Sequence, residues 1–114
     1  MANSFLSETD TGVGTTPATV FTCPAATEVT IIGLSVANIE TSQIAVDVQL
    51  DASGRTSGAE DSVYLVKGAP VPVGGSLVVI GGDQKVVLEP GDAIVVTSDT
   101  AASADVVVSH LDIT

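Results

Sequence analysis

Positive charge is nearly absent from this chain. Arg55, Lys67 and Lys85 stand against 14 acidic residues, for a formal charge of −11 over 114 residues. A nucleic-acid binder gains affinity by setting Lys and Arg against phosphates, and three scattered cations cannot do that. The same shortage disfavours anionic membrane surfaces. An acidic surface suits solubility, a basic partner or a saline medium in which screening relieves self-repulsion. Cysteine occurs once, at Cys23, which excludes an intrachain disulfide and a disulfide-stapled mini-domain. A catalytic thiol needs a nearby base or a positive microenvironment, and the single histidine, His110, is remote in sequence, so an inert buried thiol is expected. Aromatics number three, Phe5, Phe21 and Tyr64, with no Trp. A core of small aliphatic side chains suits a thin sandwich better than a wide ligand barrel, and sugar-stacking clefts lack their usual rings. The start, Met1-Ala2-Asn3-Ser4-Phe5-Leu6, has no basic region, and no apolar run approaches the roughly 20 residues that span a bilayer. The expectation is a soluble chain made in a cytoplasm.

What the chain does have is β-branched residues: Val, Ile and Thr fill 39 of the 114 positions. These side chains lose rotamer freedom in helices and fit a pleated surface. Strand-length apolar stretches alternate with turn signals. Ala18–Thr22 is the first. Glu28–Asn38 follows, with Ile32, Leu34 and Val36 on one face and Gly33 marking close packing or a bulge. Gln43–Asp51 has the cleanest alternation, with Ile44, Val46, Val48 and Leu50 inward. Ala52–Glu60 reads as an exposed loop, and Asp61–Lys67 as a strand. Gly68–Gly75 carries two prolines without a ladder donor and so is not expected to sit inside a sheet at all. Ser76–Ile80 and Lys85–Glu89 read as a hairpin pair around Gly81-Gly82-Asp83-Gln84. Glu89-Pro90-Gly91-Asp92 has type II turn chemistry, and Ala93–Thr97 and Ala104–Ile113 close the chain.

The expected fold class is therefore all-β: an antiparallel β-sandwich, jelly-roll or Ig-like, of eight to nine strands. Residues 1–16 read as an extended N-terminal arm with at most one short edge strand, and 17–114 as the sandwich domain.

No catalytic constellation emerges. A Ser-His-Asp triad would need His110, and alternation with Leu111 and Ile113 inward puts Val106, Val108, His110 and Asp112 on the opposite, accessible face. Asp51-Ala52-Ser53-Gly54 loosely resembles a calcium loop but lacks the further acidic ligands and the closing Glu. Asp51, Glu60, Asp61, Asp83, Asp92 and Asp99 could gather at one end around a divalent ion, yet local turn bonding is the simpler role for such side chains. Gly74-Gly75 and Gly81-Gly82 are followed by no Gly-Lys-Ser/Thr, so they are not a phosphate cradle. The reading is of a non-enzyme with no cofactor and no metal. More informative are the triplets Val78-Val79-Ile80, Val86-Val87-Leu88, Ile94-Val95-Val96 and Val106-Val107-Val108, where strict alternation fails. A sheet with one wet face should not look like this, so either a second layer or a neighbouring subunit is expected over it, and a homo-oligomer, a trimer among the options, follows.

Four segments, PAATEVTIIGLSVAN (Pro24–Asn38), YLVKGAPVP (Tyr64–Pro72), GGSLVVIGGDQKVVLEPGD (Gly74–Asp92) and ADVVVSHLDI (Ala104–Ile113), resemble small virion structural proteins of tailed phages infecting marine and cyanobacterial hosts. The resemblance covers nearly the whole chain. His110 departs from the small or aliphatic residue expected in the closing strand. The resemblance implies a virion component at the capsid surface, foremost a capsid decoration (cement) protein partnered with the major capsid protein. Its alternatives are a neck, tail or fibre component, or a carbohydrate- or ion-binding receptor module. On this reading the partner-binding residues are Phe5 and Leu6 of the arm with Val106, Val108 and His110 of the last strand.

Overall fold

The β-branched stretches become nine strands and no helix in the computed structural model, which describes residues 2–114. They are β1 (Asn3–Val13), β2 (Ala18–Thr22), β3 (Glu28–Asn38), β4 (Ile44–Asp51), β5 (Val63–Val71), β6 (Ser76–Ile80), β7 (Val86–Leu88), β8 (Ala93–Ser98) and β9 (Ala104–Ile113). One sheet runs β1-β9-β3-β6, with β7 also on β3; the other runs β2-β8-β4-β5. Every pairing is antiparallel.

The connectivity chooses between the two topologies open at the sequence level. First pairs with last and the rest follow inward: β1 with β9, β2 with β8, β3 with β6 and β7, β4 with β5. The chain is thus one long hairpin, rolled up so that β9 also bonds β3 and β8 also bonds β4. This is the jelly roll. Between the sheets lies a core of Val, Ile and Leu, including Val29, Ile31, Leu34, Val36, Ile44, Val46, Val48, Ile94, Val96, Val106 and Val108.

Turn chemistry holds the corners. Asp92 N–H donates to the Glu89 carbonyl at 2.9 Å, and Gly91 takes φ 94°, the positive φ that a type II turn needs at this position. In β3 the predicted irregularity at Gly33 is a bulge: Ile31 pairs with His110 and Gly33 with Ser109, leaving Ile32 extra. The bulge resets the alternation. Ile31 and Leu34 both point inward, and Ile32 leaves the face it was expected to share with Leu34 and Val36.

Three local expectations change. Residues 3–13 are not an extended arm: they form an 11-residue edge strand in register with β9 from Asn3↔Ile113 to Asp10↔Val106. Polar composition misled here, because an edge strand needs little apolar content when only its backbone and one face are engaged. The stretches around 76–80 and 85–89 are not a hairpin. Both lie along β3, Ser76 to Ile80 opposite Ala37 to Leu34 and Val86 to Leu88 opposite Ile31 to Val29, as one strand interrupted by the glycine excursion. Pro70 lies within β5, pairing with Ala45, because β5 is an edge strand and needs no outward donor. The loop 52–60 is exposed for most of its length but is fastened down: Ala52 is buried, and Arg55 reaches the β7–β8 turn.

Candidate docking face

Each valine triplet has one member that cannot face the core. In β9, β7 and β6 these are Val107, Val87 and Val78, exposed at 39%, 63% and 65%. Register places them together on the outer face of the β1-β9-β3-β6 sheet. One row reads Phe5, Leu111, Thr30, Val87; two pleats along lies Thr9, Val107, Ser35, Val78. Between them run Ser7, Ser109 and Gly33. No strand or loop of the described chain forms a layer over this face.

The charge pattern distinguishes this face from the rest of the surface. Within its rows the charged residues are Glu28 and Asp105, in the end rows, with Glu89 beside Glu28 at the margin. Asp105 is already engaged, accepting from Thr11 Oγ1 at 2.7 Å and Gly12 N at 3.1 Å. Glu8 and Asp10 of β1 pair with the inward-facing Val108 and Val106, so they lie on the other side of the sheet. The opposite sheet presents Asp47 and Lys67, 3.9 Å apart, and Asp51. At the centre of the uncharged face, the missing side chain of Gly33 leaves a groove of about 220 Å³ bordered by Ser35, Val78, Val107 and Ser109. Phe5, 74% exposed, projects from the same face two strands away, on β1.

Of the residues expected to bind a partner, Phe5 and Leu6 are exposed, but only Phe5 lies on the outer face; Leu6 pairs opposite His110 at the open inner edge. Val106, Val108 and His110 are corrected: all three are buried and point between the sheets. A run of three valines has no parity of its own, and Leu111 with Ile113 suggested the wrong one. His110 can be buried because each ring nitrogen has a partner. Nε2 lies 3.1 Å from Glu8 Oε2, Nδ1 meets Asp112 Oδ1, and the ring stacks on Phe21 with centroids 4.1 Å apart. The Glu8 contact ties β1 to β9 through side chains as well as backbone. No sequence signal announces this, because Glu8 and His110 are 102 positions apart.

The remaining reactive groups are spoken for. Burial pushes the Cys23 thiol up, helped by the negative fields of Asp92 and Asp112, from 9.0 to about 11, which leaves it protonated and unreactive. Asp92 is fully buried; burial raises its carboxyl, but hydrogen bonds from Arg55 and from the Glu89 N–H outweigh this and hold it below its ordinary value. Hydrogen bonds from Ser53 and Ser62 lower Asp51, and those from Ala45 N–H and Thr100 lower Asp99. These three carboxylates thus serve local turns and loops rather than one shared centre. Among the described residues no group of three His, Cys, Asp or Glu is placed to hold a metal ion.

No family model matches the chain, and no curated protein matches it. Among solved structures, the chain is similar to a subunit from Bacillus endospore appendages, described as a novel family of disulfide-linked pili. The TM-score is 0.56 at 13% identity, over 99% of this chain and 87% of that one. At that identity the likeness is one of fold.

Proposed function

We propose that this chain is a non-catalytic structural subunit of a protein particle, docking through the outer face of the β1-β9-β3-β6 sheet. The observation that carries this reading is an uncovered sheet face of exposed Phe and Val among Ser and Thr, nearly uncharged on a chain of charge −11. Exposed Phe and Val cost free energy in water at about 25 cal/mol per Å², and burying them against another protein recovers it. An acidic remainder keeps the free subunit soluble and discourages association through any other surface.

In its specific form, the reading is that of a capsid decoration protein seated where capsid subunits meet, as the phage resemblance implies. A neck, tail or fibre position differs in copy number. The fold likeness to a pilus subunit agrees with an assembling role, but linkage by disulfides is not open to Cys23, which is buried in the folded subunit. Quantitative mass spectrometry of purified virions against the major capsid protein tests the proposal. A simple ratio to the capsid subunit is the expected result. A few to a few dozen copies moves the protein to the neck, tail or fibre, and absence from the particle overturns the virion reading.

A further inference from the structure

The outer sheet face holds a knob and a hole of matching kind. Phe5 is the knob: a phenyl ring 74% exposed on β1. The hole is the groove over Gly33, about 220 Å³, with walls from Val78 and Val107 and hydroxyls of Ser35 and Ser109 at its margin. Register puts them two strands and one pleat row apart, roughly 10 Å across the strands and 7 Å along them. A surface carrying both halves of a contact is self-complementary, and a two-fold axis satisfies both at once.

We infer that a second copy of this chain docks on this face, sheet against sheet, each Phe5 entering the groove over Gly33 of the other. This rests on reading the face as a docking surface and names its occupant. The two-fold axis passes near β9, between Ser109 and Leu111, midway from knob to hole. Sheets stack about 10 Å apart, a gap that a phenyl ring from one side and a glycine on the other fill without backbone shift.

Shape and area favour a second copy. Two bodies of charge −11 repel, and of the two outer sheet faces this one keeps its carboxylates to its end rows, so its centre can be covered without burying a charge. Four strands about 4.8 Å apart along the ten residues of β9 offer roughly 600 Å² per copy, or about 1,200 Å² in the pair. That reaches the lower end of specific interfaces.

Gly33 supplies the test. A Cβ added there would lie 3.9 Å from the Ile80 carbonyl, an ordinary contact, so the backbone accepts a side chain whose further atoms extend into the open groove. Sedimentation equilibrium would compare the unaltered protein with F5A, G33L, the double variant and V107D in about 0.5 M NaCl, where the Debye length is only a few ångströms. Circular dichroism would check the fold of each. The expected result is a dimer whose Kd rises roughly tenfold or more in F5A and in G33L. The double variant should be no weaker than the weaker single one, because both remove the same contact. V107D should abolish association. A protein monomeric at about 100 μM, or a dimer indifferent to F5A, G33L and V107D, overturns the inference. A monomer that still occupies particles refutes only the self-docking, whereas a dimer absent from particles refutes only the virion reading.

Discussion

Replacing Arg55 by Ala removes a guanidinium held against a fully buried carboxylate. Arg55 Nε and Nη2 donate to the two oxygens of Asp92 at 2.9 and 2.7 Å, and Nη1 lies 3.1 Å from Glu89 Oε2. The Asp92 side chain is 0% exposed and that of Arg55 17%. Without the guanidinium, the Asp92 carboxylate keeps one donor, the Glu89 N–H at 3.0 Å. Breaking a buried pair by removing one partner costs about 3–5 kcal/mol, and the partial exposure of Arg55 places this case near the lower end, about 3 kcal/mol. For a domain of this size, that is a fall in Tm of the order of 10 °C. The Asp92 carboxyl titrates below its ordinary 3.8 in the folded protein, so its stabilisation is present above that pH and is lost as pH falls through the folded value. The gap between R55A and the unaltered protein is therefore full at neutral pH, narrows as acid protonates Asp92 in the variant, and closes only as pH falls through the lowered folded value of the unaltered protein. Urea denaturation at pH 7 and at about pH 3.5 measures it. A loss under about 0.5 kcal/mol at pH 7, or a gap that widens on acidification, would refute the reasoning.

Gly91→Ala should lose roughly 3 kcal/mol or more in the same assay, since φ is +94° and the new Cβ would meet the Gly54 carbonyl oxygen at 2.0 Å. Gly74→Ala, at φ +70° with nothing within 4 Å, should lose only about 1 kcal/mol; equal losses would mean that close packing at Gly91 is not the cause. His110→Ala should cost roughly 3 kcal/mol, because it leaves Glu8 and Asp112 without their shared partner and removes the ring stacked on Phe21. Hydrogen exchange in that variant should rise most in β1, and uniform exchange across both sheets would count against a clamp between β1 and β9. Cys23 should resist a thiol reagent at pH 8 in the folded protein and react fully in urea, while fast labelling of the native state would contradict its burial and raised pKa.

The class of fold was legible because its signals are local. Abundant Val, Ile and Thr, the strict alternation of Ile44, Val46, Val48 and Leu50, and the Pro90-Gly91 turn each act over a few residues, and each has its counterpart in the structure. Composition also carried the acidic charge and the excess of outer valines. Tertiary structure decided what depends on partners distant in sequence. Only pairing with β9 turns a polar, Thr-rich start into strand β1, and only Glu8 and Asp112 make the burial of His110 affordable. Only the rolled hairpin sets β6 and β7 end to end along β3 rather than against each other. The same arrangement assembles the docking face from β1, β9, β3 and the β6–β7 strand, whose residues are far apart in the chain. Phe5 and Gly33 share one face because β9 pairs with both β1 and β3, a relation that register creates and that no local pattern encodes.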